Sequence, residues 1–204
     1  YDALGVIALH QALSEFVDVV TVAPHREQSA KSHAITLHSP LRHVTHERAN
    51  VHSADGTPVD CVYVALFRKD LLPRKPDLVA SGINHGPNLG SDVHYSGTVA
   101  AAREAALRGV PAVAFSNLGR DMHSAAAIAA LICRRMLAAT MPSDQTPLLN
   151  VNFPKALDET TPLRATRLGL RHYAEGVEVR QDPRGADYYW IGGPGGPSPG
   201  ELEG

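Results

Sequence analysis

Four short runs dense in β-branched and small apolar residues recur along the chain: "VDVVTVAP", "PDLVASG", "VPAVAFSN" and "PLLNVNFP". Between them lie stretches built for helices, such as "TVAAAREAALRG" and "MHSAAAIAALICRRMLAA". Strands that are apolar on both faces are stable only when both faces are covered, and parallel neighbours need a crossover that a helix supplies. The alternation therefore predicts an α/β core, a mainly parallel sheet with helices on both of its faces. With 204 residues, 44% of them hydrophobic, the chain has material for one domain with a substantial core.

Local signals sharpen this outline. Val6, Leu9, Leu13 and Phe16 repeat at helical spacing, so the chain should open on a helix over Leu4–Phe16. "AITLHSPLRHVTH" and "ANVHS" read as short antiparallel strands. Thr57 followed by Pro58 is the signature of an N-cap with proline at the first helical position. Gly109 should stop the alanine-rich helix before it. After Pro154 the texture changes to strands joined by a hairpin turn at Asp182-Pro183-Arg184-Gly185. Its aromatics Tyr173, Tyr188, Tyr189 and Trp190 are expected to cover a core or a second subunit. The expected boundaries are a core over 1–154, a β-hairpin extension over 155–192 and a flexible Gly/Pro-rich tail over 193–204.

Composition removes several function classes. A net charge of −2, with no basic run, gives no attraction to nucleic acid or anionic lipid. No apolar run is long enough for a bilayer, and the first residues lack the pattern of a secretory leader. Cys61 and Cys133 match no zinc spacing and should be buried free thiols, which suits a reducing cytoplasm. Neither a G-x-S-x-G elbow, a Walker loop nor a G-x-G-x-x-G fingerprint occurs.

Chemistry concentrates in the loop "SGINHGPNLGSDVHYSGT", Ser81 to Thr98. Open α/β sheets bind ligands beyond the carboxyl ends of their strands, which points to the Ser29 loop, the Asn84 loop, Ser116-Asn117, and Asn150 or Asn152. These are oxygen-bearing side chains, the kind that hard divalent cations take. Ser96-Gly97-Thr98 opens a helix, where free N–H groups and the positive end of the dipole attract an anion. The first turns of that helix hold no Asp or Glu, which would repel a phosphate. The plainer alternative is an ordinary serine cap. His94 and, less well placed, His85 are candidates to donate to an anion or act as a general acid. Asp92 would ligate a cation or close a local turn, and Asp60 reads as a helix-end acid. His43 and His46 in "HVTH" point to opposite faces of a strand, so they suit surface or packing roles better than a ligand pair.

The segments "VAPHREQSAKSHAITLHSPLR", "GTPVDCVYVAL", "SGINHGPNLGSDVHYSGTVAA", "LLNVNFP" and "QDPRGADYYWIGG" together resemble the SurE-like survival-protein nucleotidases. The likeness extends over nearly the whole chain. It implies a Rossmann-like α/β fold with a projecting hairpin. It also implies a metal-dependent phosphatase acting on nucleoside 5′- or 3′-monophosphates, short polyphosphate being a further substrate of some members. Mapped by motif, Ser29 and Asn84 fall on two of four metal-ligand positions, with Mg²⁺, Mn²⁺ or Co²⁺ as the cation. Asn88, Ser96, Gly97 and Thr98 fall on the phosphate side. The remaining two ligands are adjacent aspartates in an Asn-Asp-Asp-Gly motif, which the resemblance places just before Tyr1, at the end of a first strand. A homodimer or homotetramer, cytoplasmic and without nucleic-acid or membrane partners, completes the expectation. Against it stand a nucleotide-binding or assembly module without turnover and, less well supported, a sugar-nucleotide transferase.

Overall fold

A computed structural model describes residues 1–140, 145–158, 160–171, 176–191 and 202–203. They fall into two compact units. One comprises Tyr1–Asn88 and Val93–Leu163, the other Leu89–Asp92 and Arg164–Gly204.

In the first unit, helix α1 (Leu4–Ser14) precedes strand β1 (Thr21–Pro24), and the short strands β2 (His43–Thr45) and β3 (Val51–Ala54) follow. Helix α2 (Pro58–Phe67) leads to β4 (Val79–His85), helix α3 (Gly97–Leu107), β5 (Ala112–Asn117), helix α4 (Met122–Ala138) and β6 (Leu148–Phe153). The parallel strands form two hydrogen-bonded sheets. One runs β1-β3-β2, with β2 antiparallel, and the other runs β4-β5-β6, all parallel.

Strand β5 explains why the second sheet needs cover on both sides. All six of its residues are buried. Val113 and Phe115 point into a cluster with Ala8, Leu9, Ala125, Ala129, Ile132 and Phe153, contributed largely by α1 and α4. Ala112 and Ala114, alternating with them, point the other way, into Val99, Ala102 and Ala105 of α3. Alanine on both partners brings α3 close to the sheet, while the stacked rings of Phe115 and Phe153, 5.8 Å apart, fill the wider side.

Local signals decide the helix ends. Thr57 accepts a hydrogen bond from the Asp60 N–H (3.1 Å), and the Asp60 carboxylate accepts one from the Thr57 N–H (2.8 Å), a complete capping box with Pro58 at the first position. Helix α3 ends at Leu107, and Gly109 takes the left-handed conformation, φ +71°, just beyond it. Both cysteines are buried free thiols, and burial pushes each up to about 12. Among the described residues no helix is long and apolar enough to cross a membrane.

The second unit contains a short pairing of β7 (Leu170–Arg171) with β10 (Leu202–Glu203) and a hairpin of β8 (Val177–Gln181) with β9 (Asp187–Ile191). At the turn, the Asp182 N–H donates to the Ala186 carbonyl and the Gly185 N–H to the Asp182 carbonyl. Hairpin residues Val179, Tyr189, Trp190 and Ile191 are exposed. Tyr173, and the tail over 193–204 apart from Leu202 and Glu203, lie outside the described residues.

Candidate active site

The Asn84 loop begins with an irregularity in β4. Ser81 pairs with Ala114 and Asn84 with Ser116, so three steps along β4 match two along β5. The additional residue makes a bulge, which bends a strand and redirects the side chains after it. Gly82 makes this possible: its φ is +127°, and a Cβ there would collide with the Phe115 carbonyl. Beyond the bulge, the Asn84 amide nitrogen donates to the carbonyls of His85 (3.3 Å) and Gly86 (2.9 Å). Two carbonyls fix which end of the amide faces them, because an oxygen there would meet two acceptors. The oxygen Oδ1 is thereby left for a cation.

Asn88, 7% exposed, is the hub of the turn. Its N–H donates to Asn152 Oδ1 (2.8 Å), and its carbonyl accepts from Asn150 Nδ2 (2.9 Å) and Asn152 Nδ2 (3.2 Å). Its own Nδ2 donates to Ser116 Oγ (2.6 Å), which leaves a second amide proton for a ligand. The oxygen-bearing side chains at the ends of β5 and β6 thus hold the turn. Asn117 belongs to the same framework, its carbonyl accepting from the Gly86 N–H and its Oδ1 from the Gly119 N–H.

Ser29 sits in an exposed loop that is fixed on several sides. Its hydroxyl donates to Glu27 Oε1 (2.9 Å), an arrangement that leaves the hydroxyl lone pairs available to a cation. Glu27 was not singled out from sequence, although its position two residues before Ser29 is a visible signal. Ala30 and Ser32 adopt positive φ, +52° and +54°, a conformation that non-glycine residues hold only when their surroundings impose it. The Ser32 N–H donates to the Tyr95 carbonyl (2.9 Å) and its hydroxyl to the His94 carbonyl (2.7 Å). Thr36 gives its N–H and hydroxyl to the two oxygens of Asp60 (2.8 and 2.6 Å), and Thr57 Oγ1 donates to the Ala34 carbonyl (2.7 Å). Burial pushes the Asp60 carboxyl up, but the bonds from Thr36 and Thr57 outweigh it and hold the group below the usual carboxylate range.

The Ser29 loop meets the start of α3. A Cβ added at Gly97 would lie 3.5 Å from the Gln28 carbonyl and 2.9 Å from Pro58 Cγ, so the glycine lets the loop, α2 and α3 approach one another. Ser96 is the N-cap: its Oγ accepts from the Val99 N–H (3.1 Å) and its carbonyl from the Ala100 N–H (3.0 Å). The cap uses the Ser96 hydroxyl as an acceptor only, which leaves its proton to donate. Among the described residues, the N–H groups of Gly97 and Thr98 have no protein acceptor, as the first turn of a helix requires. Whereas α2 and α4 begin with Asp60 and Asp121 at their caps, the first turn of α3 holds no acid. Helix α1 shares that lack of a first-turn acid, so the feature suits a phosphate oxygen at α3 without singling it out.

The remaining candidates separate. His85 and His94 are exposed, and Asp92, in the second unit, donates its N–H to the Leu89 carbonyl (3.0 Å). His43 stacks on His52 with centroids 5.0 Å apart, and His46 pairs with Ser53 Oγ (2.8 Å) and stacks on Tyr1 (3.7 Å). Both make packing contacts. Tyr1 also ties the chain start to β1, its amino group donating to the Pro24 carbonyl (3.0 Å), while a Cβ on Gly5 would collide with the Ile83 carbonyl on β4. Residues 1–5 thus run from the carboxyl end of β1 to that of β4, next to Asn84. Among the described residues no three His, Cys, Asp or Glu converge as a metal cluster. The donors that do fit a cation, Ser29 and Asn84, are neutral oxygens of the kind Mg²⁺ and Mn²⁺ accept.

Comparison with known proteins gives this arrangement its context. A family model described as "Survival protein SurE" matches residues 1–175. The chain is 49% identical over 199 residues to a protein of Sorangium cellulosum named 5′-nucleotidase SurE, covering 96% of this chain and 76% of that one. It is 47% identical over 195 residues to a 5′/3′-nucleotidase SurE of Serratia proteamaculans, covering 95% and 76%. Its fold is similar to the crystal structure of the SurE protein from Aquifex aeolicus, with a TM-score of 0.78 and 40% identity over 94% of this chain and 77% of that chain. On a family match over residues 1–175 and relatives about half identical over nearly its whole length, the chain belongs to the SurE survival-protein family.

Proposed function

We infer that the protein hydrolyses nucleoside monophosphates to nucleoside and phosphate, with a divalent cation as cofactor. The observation that carries this reading is the meeting of the Ser29 loop with the acid-free start of α3, in a chain about half identical to named nucleotidases. The names of the relatives favour turnover over a module that only binds.

Ser29 Oγ and Asn84 Oδ1 would hold the cation, and the family's aspartate pair would add the negative charge that two neutral donors lack. When bound, the cation supplies Lewis-acid stabilisation of a phosphoryl oxygen. The chain's own residues bind and orient. The Gly97 and Thr98 N–H groups donate to the phosphate, Asn88 Nδ2 offers its second proton, and the helix dipole favours the charge that grows on the phosphoryl group. Short polyphosphate would fit the same anion contacts. The hairpin, exposed at Val179, Tyr189, Trp190 and Ile191, would serve a homodimer or homotetramer.

The test is phosphate release from 5′-AMP and 3′-AMP in EDTA and then with Mg²⁺, Mn²⁺ or Co²⁺ restored. Metal-dependent release that Asn84→Ala weakens is the expected result. Release that ignores both EDTA and the substitution would sink the reading.

A further inference from the structure

Ser29 has no regular structure to hold it. Its loop leaves β1 at Pro24 and includes two left-handed non-glycine residues, yet it has to present a hydroxyl at one place beside α3. Hydrogen bonds of Ser32 to the His94 and Tyr95 carbonyls secure the middle of the loop, but His94 ends a single short 3-10 turn (Gly90–His94) and Tyr95 lies in the turn after it. A hydrogen bond to a long helix comes one residue later. His33 Nε2 lies 2.8 Å from Glu104 Oε2, on the third turn of α3 and 71 residues away in sequence.

Glu104 is an unusual residue for that place. It is an acid 4% exposed in a helix otherwise buried through alanines, Gly97 and Val99. Its two oxygens divide their partners, Oε2 taking His33 and Oε1 taking Arg108 Nε and Nη2, both at 2.8 Å. The Arg108 guanidinium in turn lies over the rings of Tyr63 (5.3 Å) and Phe67 (5.8 Å) on α2. A buried carboxylate is costly unless every oxygen is satisfied, and here it is satisfied by one partner from the helix and one from the loop. The same α3 carries, at its start, the N–H groups assigned to the phosphate.

We propose that Glu104 is a positioning residue for the cation site: through the His33 ring it latches the Ser29 loop onto α3, fixing Ser29 relative to the Gly97–Thr98 end of that helix. The proposal rests on the reading of Ser29 as a cation ligand. The latch acts on where the ligand stands and leaves the reacting groups untouched. Breaking it lowers the affinity for the cation while leaving turnover at saturating cation nearly intact.

The test compares wild type, His33→Ala, His33→Gln and Ser29→Ala for Mn²⁺ affinity by titration without substrate, hydrogen exchange over residues 29–34, melting temperature and, with AMP, the Mn²⁺ dependence of kcat. Gln places an amide donor where the ring Nε2 stood. In His33→Ala the Mn²⁺ Kd should rise about tenfold or more, the usual range for losing an outer support of a ligand. Exchange at Ser32 should quicken, and kcat at saturating Mn²⁺ should stay within about twofold, with His33→Gln recovering most of the affinity. Ser29→Ala should weaken Mn²⁺ at least as much. If Ser29→Ala weakens Mn²⁺ and His33→Ala does not, the latch is wrong and the site reading stands. If Ser29→Ala leaves Mn²⁺ binding unchanged, the ligand assignment falls and takes the latch with it. Loss of the folded state in His33→Ala would also overturn the proposal, since it would make His33 a support of the whole unit instead of one loop.

Discussion

The Asn84–Asn88 turn and the Ser29 loop are both asked to hold an oxygen in place, and they do so by opposite means. The turn grows out of a buried parallel sheet, and its hub residue is held by side chains at the ends of the two neighbouring strands. The loop hangs from a strand of another sheet and is fastened by side chains of two helices, Asp60 on α2 and Glu104 on α3. A position borrowed from a sheet is held by side chains that the core itself fixes, so loosening it also costs stability. A position built from side-chain fastenings can be loosened one contact at a time.

That contrast can be broken by substitution. Gly82→Val should have the largest effect, because the new side chain meets the Phe115 carbonyl in a conformation closed to valine. A loss above roughly 3 kcal/mol, read by denaturant unfolding, is expected. Asn152→Ala removes two bonds to the Asn88 backbone and strands a donor, at about 1–3 kcal/mol, with a parallel fall in activity. Asp60→Asn weakens the α2 cap and the grip on Thr36 together, at about 1–2 kcal/mol, and loosens only the Ser29 loop in hydrogen exchange. Equal exchange changes at both loops in that variant would erase the distinction.

Acidity sharpens the same comparison. Asp60 and Glu104 are both held below the usual carboxylate range. Burial pushes each up, and the hydrogen bonds from Thr36 and Thr57, or from His33 and Arg108, outweigh it. A carboxylate depressed in the folded state stabilises fully above its unfolded pKa, about 4, and loses that contribution as the pH falls through the lower folded value. The advantage of wild type over Asp60→Asn should therefore shrink below about pH 4, while the Asn84–Asn88 turn, held by neutral groups, shows no such window. The smallest effect on stability belongs to Ser29→Ala. It should stay within about 0.5 kcal/mol, because the lost bond is exposed and local, although cation affinity falls.

How much of this was legible in the sequence follows the range of the interactions. The buried strands of the core, the N-cap at Thr57 with Pro58 after it and the stop at Gly109 are set by neighbours a few residues apart, and the structure bears them out, while the reciprocal bond that makes Thr57 and Asp60 a capping box was not read. The α/β class with helices on both faces was equally readable, since β5 alternates its burial between two helical layers. The split into two hydrogen-bonded sheets was not, because apolar runs count strands without saying which pair. "AITLHSPLRHVTH" yields a strand only at His43–Thr45, since Ala34 and Thr36 spend their hydrogen bonds on Thr57 and Asp60. Asn150 and Asn152 were visible as oxygen carriers at strand ends, but their hold on Asn88 spans 62 and 64 residues and leaves no local trace. Glu104 was not singled out in the sequence, because only the fold brings His33, 71 residues away, to it.

The two thiols have a consequence beyond packing. Burial pushes the Cys61 and Cys133 thiols up to about 12 and shuts them from solvent, so an alkylating reagent attacks slowly while the chain is closed. Cys61 lies on α2, next to the carboxylate that fastens the Ser29 loop, and Cys133 lies on α4, in the layer that covers β5. Each is a clock wired to a different part of the molecule. The rate at which α2 takes up label, relative to α4, would time the undoing of the fastenings against the opening of the core.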